Sequence, residues 1–422
     1  MGKFVGYRCS LCQAEYAPGE VTYTCLKDGG NLDVVLDYEA IKAKYQPEDI
    51  LSRTDPSLWR YRPLLPVSMP EGEATPLHAA GGTPVFKLTS LAEKYGLQNV
   101  WLKDESRNPT ASFKDRASAI VVARAKEIEA EIVVTASTGN AGAALAGMSA
   151  AAGQKAVIFA PKSAPEAKVA QLLIFGAKVI LVDGTYDDAF ELTIQCANEF
   201  GWYCRNTGYN PFTVEGKKTA AFEVWEWWQG AHHEMHKQLG EEADHKPLTI
   251  FVPVGDGNII SGIHKGYKDL YELGWITRIP RIIGVQAEGS AAVANAFHGN
   301  TEEIKPVSAK TIADSISVDL PRDGVRAIRA AKETDGTYIT VSDDEILKAI
   351  TELGKAGIFA EPAGASAYAG LVKGAGSGVV GSEDPILVLN TGSGLKDIRT
   401  AQQAVHPAPI IQPTLEAVKK LL

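Results

Sequence analysis

The chain has 422 residues, of which 45% are hydrophobic and 22% are charged, a composition that excludes disordered and fibrous proteins. Its net charge is −9, and no dense cluster of lysine and arginine is present, so a nucleic-acid or anionic-membrane surface is not expected. No targeting or membrane-spanning pattern is recognised, and five cysteines do not suit a disulfide framework, which predicts a cytoplasmic protein.

The first forty residues form a small cysteine-bearing segment with a predicted hairpin and an alternating strand. Its metal-binding candidates are two pairs with the same internal spacing, of which the second ends in aspartate rather than cysteine. Four thiolates on two such turns close a tetrahedron around zinc, and a carboxylate is also a zinc ligand. Two interpretations stay open: a ribbon that docks on the main body without metal, or a zinc site made of Cys9, Cys12, Cys25 and Asp28.

Residues 59–84 are rich in proline and glycine, which predicts an extended connection rather than a helix or the interior of a sheet. Beyond it, short apolar runs alternate with helical patterns. The predicted strands are residues 100–102, 132–135, 156–159, 178–182, 249–252, 281–285 and 386–389. Continuous apolar runs separated by helices are typical of parallel strands covered on both faces, so an α/β protein with doubly wound sheets is expected. Functional sites in such sheets lie beyond the carboxyl ends of the strands.

A lysine lies in the first turn of the helix that follows the first of these strands. Ser112 is the predicted N-cap, which places Lys114 at the positive end of the helix. That field lowers the pKa of the amine, which suits a lysine that must be neutral to attack a carbonyl. Taken alone, such a lysine is more often a solvated surface residue, so the assignment depends on the neighbouring turns.

Three further turns at strand ends carry anion-binding patterns. Residues 137–140 offer hydroxyls and backbone amides at a helix N-terminus, and residues 255–259 contain two glycines that let a loop close around a phosphate. The third turn, residues 390–397, is a cluster of hydroxyls and glycines. The turn at residues 137–140 resembles a dinucleotide-binding turn but lacks the glycine spacing of such a site. One activatable lysine with several anion-binding loops fits pyridoxal 5′-phosphate, a phosphorylated aldehyde.

Several motifs resemble those of threonine synthases, which are pyridoxal-phosphate enzymes of the tryptophan-synthase-β fold type. They recur in the family's order and are residues 108–116, 137–140, 216–219, 255–258 and 391–397. The N-terminal segment and residues 57–61 and 71–77 are also similar to the family, so the resemblance covers nearly the whole chain. It implies two doubly wound α/β domains of fold type II with a small zinc-ribbon-like N-terminal β segment. The expected boundaries are 1–40 for the ribbon, 41–108 plus 207–422 for the large cofactor-binding domain and 109–206 for the small domain.

The resemblance also implies roles for individual residues. Lys114 would hold the cofactor as an imine and move protons, Asn140 would hydrogen-bond its 3′-oxygen, and Thr391 would face its pyridine nitrogen. The cofactor phosphate would be wrapped by backbone amides of Gly255, Asp256, Gly257, Asn258 and Ile259. The substrate carboxylate would be received by Ser137, Thr138 and Gly139.

The implied reaction takes O-phospho-L-homoserine and water to L-threonine and phosphate, catalysed by a homodimer without nucleic-acid or membrane partners. One position departs from the family, because Thr213 stands where an arginine commonly grips the substrate phosphate. A threonine cannot offer a charged, two-pronged donor. Our hypothesis is that Arg205 and Thr207 bind this phosphate together with Lys217 or Lys218. Residues 313–319 also differ from the family pattern and are predicted to line the site.

Two other functions remain open at this point. One keeps the cofactor and changes the reaction, to a serine/threonine dehydratase or a β-replacement synthase such as cysteate synthase. The other is a nucleotide- or metal-binding regulatory module in which the N-terminal ribbon carries the function.

Overall fold

The computed structural model describes residues 4–72, 74–240 and 246–421. Residues 1–3 of the predicted N-terminal segment lie outside this part, and so does residue 73, which belongs to the stretch 71–77 that resembles the family. The N-terminal segment is a three-stranded antiparallel sheet of β1 (Phe4–Cys9), β2 (Glu15–Tyr16) and β3 (Leu32–Leu36), ordered β2–β1–β3. Alternate residues of β3 are buried because one face of this sheet packs on the main body. There Phe4 contacts Phe212 edge to face at 5.9 Å.

Two further sheets form the main body. Their strands are β4 (Val85–Lys87), β5 (Asn99–Asp104), β6 (Ile132–Ala136), β7 (Lys155–Pro161), β8 (Lys178–Val182), β9 (Tyr203–Cys204), β10 (Thr249–Pro253), β11 (Arg281–Ala287), β12 (Thr337–Val341) and β13 (Pro385–Asn390). The six-stranded sheet has the order β12–β11–β10–β13–β5–β4 and is parallel except for β4. The four-stranded sheet has the order β8–β7–β6–β9 and is parallel throughout. The predicted α/β class with parallel strands is confirmed, whereas β8, an edge strand, is not covered on both faces as predicted, since none of its residues is buried.

Helices connect these strands and cover the sheets. They are α1 (Tyr38–Lys44), α2 (Pro47–Leu51), α3 (Thr89–Lys94), α4 (Lys114–Glu127), α5 (Asn140–Ala151), α6 (Glu166–Ile174), α7 (Tyr186–Phe200), α8 (Phe212–Lys217), α9 (Thr219–Leu239), α10 (Asn258–Glu272), α11 (Ala292–His298), α12 (Gly324–Lys332), α13 (Asp343–Lys355), α14 (Pro362–Gly376), α15 (Ile398–Gln403) and α16 (Leu415–Lys419). Within the described ranges, none of them has the length and apolar character needed to cross a bilayer. The four-stranded sheet draws on residues 132–204, and the domain boundaries at 40, 108 and 206 stay predictions.

The predicted extended connection over residues 59–84 is wrong in part. Leu58–Leu64 and Pro76–Ala79 are 3₁₀ helices, and the buried Trp59 donates from Nε1 to the Leu77 carbonyl at 2.9 Å. Proline at the first helical position has its φ already in the helical range and lacks an N–H that would go unpaired there. Pro76 therefore begins a short 3₁₀ helix here, whereas the prolines of this stretch were interpreted as a sign of extended chain.

A buried ion cluster fixes the first turns of α4. Arg116 donates from Nε to Glu105 at 2.7 Å and from its two Nη atoms to Glu223 at 2.6 and 2.7 Å. Lys103 adds a bond of 2.7 Å to Glu223. Each buried charge in the cluster faces an opposite charge. Removal of a single partner would leave an uncompensated buried charge and lower the free energy of unfolding by about 3–5 kcal/mol. The cluster thereby holds Lys114, two residues before Arg116, at a defined place.

Candidate active site

A cleft lies where the carboxyl ends of four parallel strands meet the segments that follow them. Lys114 follows β5, Asn140 follows β6, residues 255–259 follow β10, and Thr391 follows β13; all of them line the cleft. The structure thus brings together four turns that are up to 277 residues apart in sequence (391 − 114). Ser315 and Ile316 complete one wall, so part of residues 313–319 lines the cleft.

Lys114 is the first residue of α4, and the predicted N-cap is wrong. Phe113 occupies the N-cap position without a side-chain cap, and its N–H donates to the Thr391 carbonyl at 2.9 Å. Ser112 forms a strand-like bridge with Gly392, so the helix begins after it, and its buried Oγ has no partner among the described residues. The turn is held instead by Asp115, which accepts bonds of 2.6 and 2.5 Å from Thr110.

The pKa of Lys114 is lowered to about 8. Burial is the main cause, and the positive charge of Arg205 is the next, against the opposing charges of Asp256 and Glu361. The sequence predicted a lowered pKa, and the direction agrees. The predicted cause was the positive end of the helix, whereas the principal cause is burial. A substantial fraction of this amine is therefore neutral near pH 8, as a nucleophile or base requires.

The loop that follows β10 is shaped for an anion. Gly257 has a φ of +90° and is the N-cap of α10, with no side chain capping the first helical amides. A Cβ at Gly257 would lie 2.6 Å from the Asp323 carbonyl oxygen, and one at Gly255 would lie 2.8 Å from Ile316 Cα. The side-chain amide of Asn258 is turned away to Asp323, at 2.7 Å. Backbone N–H groups are thus the donors that this loop offers.

The turn that follows β6 forms a second anion-receiving end. Gly139 is the N-cap of α5 without a side-chain cap, and Ser137 Oγ accepts from the Gly139 N–H at 3.2 Å. Thr138 and Gly139 line a second cleft, which shares Asn140 and Glu361 with the first. The two clefts therefore adjoin each other, and Thr138 and Gly139 lie next to the predicted cofactor residues. The other predicted substrate residues, Ser137, Arg205 and Thr207, are not among the residues that line either cleft.

Glu361 is a site residue that the sequence interpretation missed. It is the N-cap of α14 and is buried, and its two carboxylate oxygens accept from Asn140 Nδ2 at 3.0 and 2.8 Å. Burial raises its pKa, against the lowering effects of the Asn140 hydrogen bond and of Lys114. The signal for it was Pro362, because proline at the first helical position marks another helix start at the cleft.

Arg205 is fully buried and has no ion pair among the described residues. Its Nη1 donates to Thr207 Oγ1 at 2.6 Å and its Nε to Ser118 Oγ at 3.3 Å, while Nη2 has no partner there. The neighbouring Asn206 also has a buried Nδ2 without a described partner. Burial lowers the pKa of Arg205 to about 10, so it stays cationic at neutral pH. A buried cation with an unused donor is costly unless an anion binds there.

The two adjacent lysines of the sequence hypothesis have different surroundings. Lys218 is buried against Asp269 at 2.7 Å and against Glu215, so its charge is already neutralised. Lys217 donates to the Asn258 side chain and has no ion pair within the described residues. Its pKa lies well below the usual value because of burial and the charges of Lys114 and Arg205. Of the two, Lys217 is therefore the one whose amine is not neutralised by a carboxylate among the described residues.

The N-terminal ribbon brings its four candidate ligands together. One ligand atom from each of Cys9, Cys12, Cys25 and Asp28 lies within 4.8 Å of all the others. The Cys12 and Cys25 sulfurs are 3.7 Å apart, and Asp28 Oδ1 is 3.3 Å from the Cys9 sulfur. A tetrahedron with metal–sulfur bonds of about 2.3 Å has edges of about 3.8 Å, so this spacing suits a metal ion of zinc's size.

Comparison with known proteins identifies relatives along the whole chain. Residues 77–392 match the family described as pyridoxal-phosphate dependent enzyme. The chain is 37% identical over 418 residues to threonine synthase of Methanocaldococcus jannaschii and 36% identical over 419 residues to that of Methanosarcina acetivorans, with 98% of both chains covered in each case. It is 34% identical to threonine synthase of Halalkalibacterium halodurans, covering 85% of this chain and 96% of the other.

Solved structures agree at the level of the fold. Threonine deaminase isoform 2 of Solanum lycopersicum superimposes with a TM-score of 0.64 at 22% identity, covering 81% of this chain and 92% of the other. Maize serine racemase superimposes with a TM-score of 0.63 at 23% identity, covering 76% of this chain and 91% of the other. These structures have the fold type that the resemblance implied. The chain therefore belongs to the pyridoxal-phosphate dependent enzyme family and, within it, to the threonine synthases.

Proposed function

We propose that the protein converts O-phospho-L-homoserine and water into L-threonine and phosphate, as a lyase acting on a phosphate ester. The observation that carries this proposal is the buried guanidinium of Arg205, which has no ion pair among the described residues and whose charge acts on Lys114, a lysine with a pKa of about 8. A phosphate monoester is an anion that such a desolvated, charged donor can bind. The threonine synthase relatives, 34–37% identical over most of the chain, support the same reaction.

The residues around the cleft fit pyridoxal 5′-phosphate. Lys114 supplies a partly neutral amine for the aldehyde, and the glycine-restricted loop of residues 255–259 supplies uncapped amides for the phosphate. Asn140 supplies an amide for the 3′-oxygen and Thr391 a hydroxyl for the ring nitrogen. When bound, the cofactor withdraws electrons from the substrate's α-carbon, which makes the neighbouring protons acidic.

The chain's own residues then orient the substrate. The uncapped N-terminus of α5, with Thr138 and Gly139, receives the α-carboxylate. Arg205, Thr207 and Lys217 receive the γ-phosphate and stabilise the charge that grows on it as it leaves. The substrate is thus fixed at both ends, with its α- and β-carbons held near Lys114.

Lys114 is the group that moves protons. Its Nζ takes the proton from the substrate's α-carbon and returns one to the same carbon at the end of turnover, because its lowered pKa lets it act in both directions near neutral pH. Between these transfers a β-proton is lost, phosphate departs from the γ-carbon, a proton adds at the γ-carbon to form the methyl group, and the hydroxyl of water adds at the β-carbon while its remaining proton is released. Glu361 keeps Asn140 in place throughout, through its two hydrogen bonds.

The substitution Glu361→Gln is expected to lower kcat roughly 10- to 150-fold with little change in KM, the loss associated with one charged hydrogen bond. The amide would offer Asn140 a donor where it now meets an acceptor. Steady-state kinetics together with the absorbance maximum of the bound cofactor measure the effect. Glu352→Gln is the matched control, because Glu352 is also buried but bonds to Tyr95 and Tyr368. Unchanged kcat and spectrum in Glu361→Gln would contradict the positioning role.

The reaction itself is tested by incubating the purified protein with O-phospho-L-homoserine and measuring threonine and phosphate. A visible absorption band that shifts on addition of this substrate, with one threonine formed per phosphate, is the expected result. O-phospho-L-serine, L-serine and L-threonine are the comparison substrates for a β-replacement synthase and a dehydratase. Faster turnover of any of these, or a protein without the cofactor band, would overturn the proposal.

We also propose that Cys9, Cys12, Cys25 and Asp28 bind one zinc ion, on the strength of their ligand atoms lying within 4.8 Å of one another. Metal analysis of the purified protein is expected to give one zinc per chain in the wild type and none in Cys12→Ala, since three remaining ligands hold the ion weakly. Cys196→Ala is the control because Cys196 lies outside the cluster. Equal zinc content in all three proteins would contradict this site. A homodimer and a cytoplasmic location remain part of the proposal.

A further inference from the structure

The N-terminal ribbon contacts the candidate phosphate site directly. Residues 203–209, here called the anion segment, carry Arg205 and Thr207 at their centre. At one end of this segment, the Cys204 N–H donates to the Tyr23 hydroxyl at 2.8 Å. At the other end, Asn31 Nδ2 donates to the Gly208 carbonyl at 2.7 Å. Two ribbon side chains therefore hold the backbone on both sides of the phosphate-binding pair.

Aromatic stacking reinforces this contact. The Tyr23 ring stacks against Tyr209, with centroids 4.6 Å apart and planes 23° from parallel, and against Tyr203 at 6.0 Å and 30°. Tyr203 and Tyr209 are the first and last residues of the anion segment. Offset stacking of this kind adds attraction beyond the area that it buries. A single ribbon side chain thus contacts both ends of the segment.

Tyr23 and Asn31 belong to a short hairpin that is closed by the candidate metal ligands. Residues 23–31, here called the knuckle hairpin, pair through Thr24 and Asn31, and Cys25 N–H donates to the Gly30 carbonyl at 2.9 Å. Cys25 and Asp28 lie inside this hairpin, whereas Cys9 and Cys12 lie on and after β1. A cation shared by the four ligands would tie the knuckle hairpin to β1 and so fix the positions of Tyr23 and Asn31.

We infer that the knuckle hairpin is a positioning element of the substrate-phosphate site and that a metal shared by its Cys25 and Asp28 with Cys9 and Cys12 holds it in place. This inference rests on the proposed function, in that Arg205 and Thr207 receive the substrate phosphate. Tyr23 and Asn31 are positioning residues, because they touch the backbone of the anion segment rather than the ligand. Metal occupancy in the ribbon thereby controls the affinity of Arg205 and Thr207 for phosphate.

The experiment compares the holoenzyme with Tyr23→Phe, which keeps the stacked ring and removes the hydroxyl, and with Asn31→Ala. Each variant is expected to raise KM for O-phospho-L-homoserine and Kd for inorganic phosphate roughly five- to tenfold, the effect of one hydrogen bond. Values of kcat and cofactor absorbance per chain are expected to stay at the wild-type level. Arg8→Ala is the control, since its exposed pair with Glu15 lies on the same sheet away from the anion segment. Unchanged KM and phosphate Kd in both ribbon variants would overturn the inference.

A second arm tests the metal. Cys12→Ala is expected to lose zinc and to show the same rise in KM and in phosphate Kd, compared at equal cofactor content so that misfolded protein is excluded. Loss of zinc without any rise would overturn the metal's role. Calorimetric titration with inorganic phosphate needs no turnover, so it tests the inference even if the wild type forms no threonine, a result that would refute only the proposed function.

Discussion

Replacing Lys114 with alanine is expected to lower the rate of threonine formation by at least about 10³-fold and to abolish covalent attachment of the cofactor. The residue has two tasks, since it provides both the attachment point and the proton-transferring group, and loss of a general base alone costs about 10²–10⁴-fold. Borohydride reduction followed by peptide mass mapping measures attachment, and a threonine assay measures the rate. Lys126→Ala is the matched control, because Lys126 lies on the same helix with its amine near the Gly153 carbonyl, away from the cleft.

The lowered pKa of Lys114 also predicts how the rate of cofactor attachment changes with pH. At pH 7.5 a pKa of about 8 leaves roughly a quarter of the amine neutral, against roughly one part in a thousand for an ordinary lysine. Capture of added pyridoxal phosphate by cofactor-free protein, followed by absorbance, should therefore accelerate with rising pH and level off above about pH 8. A rate that keeps rising toward pH 10.5, or reduction that labels another lysine, would contradict the role of Lys114.

Local patterns were sufficient to predict the parts of the site that depend on one strand and its following turn. The segments around Lys114, Asn140, Gly257 and Thr391 each combine an apolar strand with glycine or hydroxyl residues, and such turns meet at one edge of a parallel sheet. Three strands escaped prediction: β4 and β9 are short, and β12 was missed although its sequence is rich in β-branched residues. The architecture was thus predictable where strands are long and apolar.

The electrostatics of the site could not be predicted in the same way, because it depends on contacts between distant segments. Lys114 and Arg205 are 91 residues apart (205 − 114), yet the positive charge of Arg205 lowers the pKa of Lys114. Lys217 and Lys218 are neighbours, and only the packing of Lys218 against Asp269 on α10 separates their roles. Glu361 gave a helix-start signal but no indication that it would face Asn140.

Replacing Arg205 with methionine is expected to raise KM for O-phospho-L-homoserine by roughly 10²–10³-fold. Methionine fills a similar volume without charge, so the substitution removes a desolvated, charge-assisted contact to the phosphate, which is worth about 2–5 kcal/mol. Arg205 is fully buried and leaves Nη2 without a partner among the described residues, so its charge has no other compensation there. Steady-state kinetics at saturating cofactor measure the change.

The same substitution should have the opposite effect on the protein without substrate. Because a buried, uncompensated charge is costly, Arg205→Met is expected to leave the free energy of unfolding unchanged or to raise it by about 1–2 kcal/mol. Arg124→Met is the matched control, since the Arg124 side chain is 23% exposed and pairs with Glu127 on the same helix, and it should alter neither KM nor stability strongly. A large loss of stability with unchanged KM would mean that Arg205 supports the fold rather than the substrate. Loss of cofactor absorbance at unchanged KM would instead place its charge on the cofactor phosphate, and either result would remove it from the substrate site.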